Sequence, residues 1–228
     1  MSTIVLLHAF PVGPAMWEPQ IAALSGHELA IPRLYGRGTS IDGWARQLLR
    51  ELDGELVPVG ASMGGYCALA LARRAPERLC GLVLAGSRAS ADTAAGVSTR
   101  EQTIEILRRG GFERIWATME PTLFGPNADP AQLAEAHATA AAQSADELVA
   151  ATAAMRDRPD LSDVVRTLPC PLLVTTGEFD FVRPEASTLS ALAPQGELAV
   201  IEGAGHLASF ERPDLFNPIL LDFLARAI

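Results

Sequence analysis

The chain has 228 residues, 49% of them hydrophobic and 20% charged, which suits one globular domain with a substantial core and excludes a disordered, collagen-like or disulfide-scaffold chain. All 18 basic residues are arginine, set against 27 acidic ones for a net charge of -9. With no arginine-dense block a nucleic-acid partner is not expected, and without lysine neither Schiff-base nor P-loop lysine chemistry is available.

Along the chain, short runs rich in Val, Ile and Leu alternate with longer helical stretches, and no internal repeat is present. Strand candidates are 3–8, 28–31, 56–61, 81–86, 171–176 and 198–202. They are continuous apolar runs, as parallel strands buried on both faces should be. Helices are expected at 15–24, 42–52, 63–74, 185–192 and 218–227. Asn217 would cap the last of these, with Pro218 as its first residue. Pro58 falls inside a strand that should be central, so that strand is expected to be short, with Pro58 near its start. Residues 88–170 contain no strand candidate. They read as four helices, about 98–109, 111–120, 130–142 and 144–155, punctuated by Pro121, Pro126 and Pro130. Such a block is too long for a loop and is expected to cap one end of the sheet. The expectation is an α/β fold: a six-stranded, mostly parallel, doubly wound sheet formed by 1–87 and 171–228, with a helical cap at 88–170.

No apolar stretch approaches the roughly 18 residues of a membrane span. The segment Met1 to Pro11 lacks the basic leader of a signal peptide. Cys67, Cys80 and Cys170 are far apart, without metal-ligand spacing, so reduced thiols and a cytoplasmic location are expected, with no metal.

The strongest chemical signal is Gly60-Ala61-Ser62-Met63-Gly64-Gly65, between a strand and a helix. This is the G-x-S-x-G elbow, in which glycines let the backbone turn tightly enough to present a serine above a helix N-terminus. A serine hydroxyl needs a base, and the base needs an acid to orient it. Of the four histidines, His8 ends a strand, His27 precedes one and His137 lies in an Ala-rich helix. His206 follows Gly203-Ala204-Gly205 in a loop after the last strand and is the candidate base. The acid should precede it in the loop Gly177-Glu178-Phe179-Asp180. Asp180 is preferred, with Glu178 as local rival. Oxyanion donors are expected from the N–H of Met63 and from that of Phe10, in the loop after the first strand.

Taken together, Leu6-Leu7-His8-Ala9-Phe10-Pro11, Tyr35-Gly36-Arg37-Gly38-Thr39-Ser40, the Ser62 elbow, Gly177 to Asp180, Gly203 to His206 and Phe210-Glu211-Arg212-Pro213 resemble the α/β-hydrolase fold superfamily over essentially the whole length. The nearer likeness is to its serine esterase and enol-lactonase branch. The resemblance implies strand order 2-1-3-4-5-6, a Ser62–Asp180–His206 triad and no cofactor. Such chains usually open on an antiparallel hairpin, which is lacking before Thr3, so all six strands are expected parallel and 28–31 should be an edge. Ala9 stands where the family usually has Gly, Ala61 where it often has His, and Arg33 or Leu34 where an Asp is usual. Ser62 speaks against the branches with an Asp nucleophile.

The substrate pocket is expected between sheet and cap, lined by Phe10, Trp17, Met63, Trp116, Met119, Leu123, Phe124, Phe181 and Val182, and suited to a small apolar or aromatic ester or lactone. Arg88 and Arg183 could meet a substrate carboxylate, although a structural ion pair, Arg88 with Asp92 for instance, is the simpler expectation. Two other readings share these residues. One is a C–C bond hydrolase or lyase on the same triad. The other is a ligand-sensing signalling protein that keeps the triad. No membrane or nucleic-acid partner is expected.

Overall fold

Four of the six strands are built from residues with almost no exposure. A computed structural model describes residues 2–228, in which β1 (Thr3–Leu7), β2 (Glu28–Ala30), β3 (Leu56–Ala61), β4 (Leu82–Ala85), β5 (Leu172–Gly177) and β6 (Gly196–Ile201) form one sheet in the order β2-β1-β3-β4-β5-β6. Every neighbouring pair is parallel. β1, β3, β4 and β5 are buried along their whole length, as an apolar strand between two helical layers must be. Short β2 is one edge, as expected.

Alternate side chains point to opposite faces. Val5, Leu7, Leu82, Leu84, Leu172 and Val174 join one core, with α2 (Ile41–Glu51), α3 (Met63–Arg74) and, later in the chain, α9 (Arg183–Leu192). Ile4, Leu6, Val57, Val59, Val83 and Leu173 join the other, with α1 (Glu18–Ala23), α10 (Ala208–Glu211) and α11 (Pro213–Ala227). The sheet is thus covered on both sides.

Four details differ from the sequence-based expectation. Pro58 sits mid-strand, opposite Val5. It falls between the isolated Leu56–Leu79 bridge and the first β3–β4 rung at Val59–Val83, where a missing N–H costs no rung. Pro218 lies inside α11, and Asn217 does not cap it: its side chain donates to Pro19 O and accepts from Gln20. An internal proline costs a helix about 3 kcal/mol. Burial of Phe216, Leu220, Phe223 and Leu224 on the sheet, about 1.5–3 kcal/mol each, outweighs it. β6 is not a run buried on both faces. Leu198 and Val200 are 40% and 42% exposed, because β6 closes the second edge of the sheet.

The fourth difference concerns 88–170, which holds five helices: α4 (Ala94–Arg108), α5 (Phe112–Leu123), α6 (Pro130–Ala141), α7 (Ala145–Arg156) and α8 (Ser162–Arg166). α5 continues through Pro121. α4 packs along α7, whereas α8 packs on α3 and α9. α8 therefore acts as the ordinary crossover helix between β4 and β5, and only α4–α7 stand apart from the two helical layers. Arg33, after β2, forks onto Glu147 and also reaches Gln143 (2.7 Å), tying α7 to the sheet. That guanidinium is the main reason the Glu147 carboxyl is held down at about 2. No helix among the described residues is long and apolar enough to cross a membrane.

Candidate active site

Ser62 is the hinge between β3 and α3, and it is the only non-glycine among the described residues with positive φ (φ 48°, ψ -109°). Backbone strain of this kind costs about 1–3 kcal/mol and persists only where the surroundings impose it. Here they do. The Ser62 N–H donates to Ala85 O (2.8 Å), and its carbonyl accepts from Ser87 Oγ (3.0 Å) and from the Gly65 N–H (2.9 Å). The turn also forces α3 against β1. A Cβ on Gly64 would stand 2.0 Å from Leu7 O, so no other residue fits there.

The Ser62 hydroxyl lies 2.8 Å from His206 Nε2, and His206 Nδ1 lies 2.8 Å from Asp180 Oδ1. With the proton on Nδ1, the imidazole donates to Asp180 and accepts from the serine. Asp180 Oδ1 also accepts from the Val182 N–H (3.0 Å), and Oδ2 accepts from Thr176 Oγ1 (3.1 Å). Burial pushes the Asp180 carboxyl up. The His206 contact and the two further donors outweigh burial, so the net shift is downward and the group is ionised. Glu178, the rival acid, is turned away and accepts from the Gly203 N–H (3.0 Å), pinning the loop that carries His206.

The N–H of Met63 heads α3, where helical N–H groups have no intrahelical acceptor. Phe10 N–H has no hydrogen-bond acceptor among the described residues. Its neighbour Ala9 N–H points to Met16 Sδ (3.1 Å). His8 anchors this loop from beneath. Fully buried, it donates from Nδ1 to Ala9 O (3.0 Å) and accepts at Nε2 from the Leu34 N–H (3.0 Å). Burial lowers its pKa to about 4, so it is neutral.

A cavity of about 360 Å³ opens on Ser62 and His206, at the small end of ligand-sized pockets. Of the expected lining residues, Phe10, Met119, Leu123, Phe181 and Val182 face it. Phe181 lies over the His206 ring, centroids 4.4 Å apart. Trp17, Met63, Trp116 and Phe124 do not face it. Trp17 is fully buried against Phe216, and Met63 is fully buried in the α2–α3 core. The Trp116 indole packs edge-on to His137 and donates to Glu120 (2.5 Å). Phe124 packs on Phe210. The three aromatic residues are drawn into core because a large ring gains most from complete burial.

The cavity also has polar lining, of which only Arg88 was anticipated. Gly96, Thr99, Arg100 and Thr103 of α4 face it, with Tyr66, Arg88 and Asp92. The i, i+3, i+4, i+7 spacing on α4 was the available sequence signal. Asp92 pairs with Arg158 (2.7 Å) and Arg100 (3.2 Å), not with Arg88. Arg183 donates to Glu178 O (2.8 Å) and does not line the cavity.

A sequence profile of the alpha/beta hydrolase family matches residues 4–219. Among solved structures, a thermophilic esterase from Thermogutta terrifontis with malate bound superposes with a TM-score of 0.93 at 30% identity, over 100% of this chain and 90% of that one. The enol-lactonase from Burkholderia xenovorans superposes at 0.83 and 23% identity, over 98% and 91% of the two chains, a likeness of fold. In sequence, a putative carbamate hydrolase RutD of Agrobacterium fabrum is 28% identical across 99% of this chain and 94% of its own length.

Proposed function

This chain belongs to the alpha/beta hydrolase family, and from that premise we propose that it is a cofactor-free serine hydrolase that cleaves a carboxylic ester or lactone through an acyl-enzyme. The observation that carries the reading is the unbroken relay Ser62–His206–Asp180, with both links at 2.8 Å. The serine Oγ attacks the carbonyl carbon while His206 Nε2 takes its proton. Asp180 holds the imidazole in the tautomer that can accept and stabilises the imidazolium that forms. The oxyanion meets the N–H groups of Met63 and Phe10, where the start of α3 adds favourable potential. The imidazolium returns its proton to the departing alkoxide. A water, deprotonated by the same imidazole, then releases the acid and restores the serine. α4–α7 serve as the cap, and the small acyl or alkoxy group rests on Phe10, Met119, Leu123, Phe181 and Val182.

The test is covalent labelling. A fluorophosphonate should modify Ser62 stoichiometrically, as read by peptide mass spectrometry. Ser62→Ala should abolish labelling and lower ester hydrolysis by at least about a thousandfold. Labelling at another residue, or a Ser62→Ala protein as active as the parent, overturns the reading. Matched linear and cyclic substrates in the same assay separate esterase from lactonase.

A further inference from the structure

We propose that the polar end of the cavity is a carboxylate-binding subsite built on Arg88 with Arg100, so that the preferred substrate is an ester that also carries a free carboxylate. This assignment deepens the serine-hydrolase reading and rests on it for the word substrate; the binding site itself stands on its own observations.

Arg88 is brought to the site by β4. It follows Ser87, whose hydroxyl bonds the carbonyl of Ser62, so the guanidinium hangs from the same strand end that braces the nucleophile. Its side chain is three-quarters buried, and Nε is buried without a hydrogen-bond partner. A buried donor left unsatisfied costs about 1–3 kcal/mol, and neither terminal nitrogen of Arg88, a lining residue of the cavity, donates a hydrogen bond among the described residues, so both stay available to an anionic acceptor there. Its one ionic contact is long and lies at the rim: Nη1 stands 3.3 Å from Glu185, whose side chain is half exposed.

The charges around this end do not balance. Asp92, nearly buried, is matched by Arg158 at 2.7 Å and by Arg100 at 3.2 Å. Arg158 lies over the Tyr66 ring, 4.0 Å from its centroid, behind the cavity wall. Three guanidiniums thus stand against Asp92 and the rim carboxylate of Glu185. The excess is positive, in a chain of net charge -9. Arg100 keeps its two terminal nitrogens free of any hydrogen bond among the described residues, since only its Nε is taken, by Asp92. Guanidiniums bind carboxylates bidentately, and in a half-buried wall such a bond is stronger than at a surface. Apolar residues of the same lining, among them Phe10, Met119, Leu123 and Phe181, would take the carbon chain of a molecule bound with its carbonyl at Ser62 and its carboxylate at Arg88.

The experiment compares monomethyl with dimethyl esters of succinate, glutarate and adipate. Binding is measured by calorimetry on the Ser62→Ala protein, and turnover on the parent. The monoester should bind at least about tenfold more tightly than the diester. Arg88→Gln, in the Ser62→Ala background, should collapse that ratio, a change of about 10–100-fold for a charge-assisted bond. Arg88→Lys should restore only part of it, and Arg100→Gln should lower it independently. Thermal unfolding of each variant checks that it is folded. Equal binding of monoester and diester by the Ser62→Ala protein, or a ratio untouched by Arg88→Gln and Arg100→Gln, overturns the subsite even if simple esters are hydrolysed at Ser62. Selective binding without turnover by the parent leaves the subsite standing and overturns the hydrolase reading instead.

Discussion

Gly86 does for His206 and Asp180 what the elbow does for Ser62: it lets the backbone come close. Its φ of +55° suits glycine, and a Cβ there would stand 2.8 Å from His206 O and 3.0 Å from Asp180 Oδ2. A methyl group would push on both members of the relay at once. Gly86→Ala should therefore lower kcat by at least about tenfold, since sub-ångström displacement of reacting groups is costly. Gly26→Ala is the matched control. It also has positive φ (+107°) but open space around it, so it should lose about 1 kcal/mol of stability and keep its kcat. Steady-state kinetics beside denaturant unfolding of both variants reads this out, and equal kcat for the two would refute it. At this scale the sequence pointed to Ser62, Asp180 and His206, which the structure brings together through two 2.8 Å contacts, because each falls in a short motif after a strand. It was misleading about part of the lining. Trp17, Trp116 and Phe124 look like a ligand-binding set by type alone, yet ring size draws them into core. The polar side chains of α4 look like an ordinary solvated helix face, although that face is turned to the cavity.

Among the elements, short α10 carries a carboxylate that joins two parts of the site. Glu211 is buried and accepts from Gly205 N–H (2.8 Å) and from Gly125 N–H (2.9 Å). It links the loop of His206 to the segment that follows α5. Leu207 N–H reinforces the link by donating to Leu123 O (2.9 Å). Glu211→Gln has only one accepting oxygen and would set an amide N–H2 against a backbone N–H. We expect kcat to fall by about 10–100-fold, with fluorophosphonate labelling of Ser62 slowed in parallel. Labelling at the parental rate would show that the link does not position His206. The larger elements were legible from apolar runs and helical spacing, and the strand order came out as the family resemblance implied. α8 and α10 were not legible, being five and four residues long, too short to show a period. The prolines of α5 and α11 misled because tertiary burial outweighs a local preference.

For the whole molecule, His8 couples stability to pH. Its pKa is depressed from the ordinary 6.5 to about 4, and a proton on Nε2 would face the Leu34 N–H. Between those two values the unfolded chain binds a proton that the folded chain refuses. Stability therefore falls as pH drops from about 6.5 to about 4, by up to about 3 kcal/mol from this residue. Asp180, also depressed, acts in the same direction but only below the ordinary carboxylate range. Urea unfolding of the parent and of His8→Gln at pH 7 and pH 5 separates the two: the parent should lose more stability than the variant, and parallel losses would count against His8.

The relay also has a direction in time. Ser62 and His206 are 144 residues apart, and parallel strands join only through crossovers. At ordinary synthesis rates of about 5–20 residues per second, roughly 7–30 s pass between the emergence of Ser62 and that of His206. Throughout that interval the serine is an ordinary alcohol. On the proposed serine-hydrolase mechanism, a chain that stalls, or that is cut before its last strand docks, would be inert towards every ester it meets.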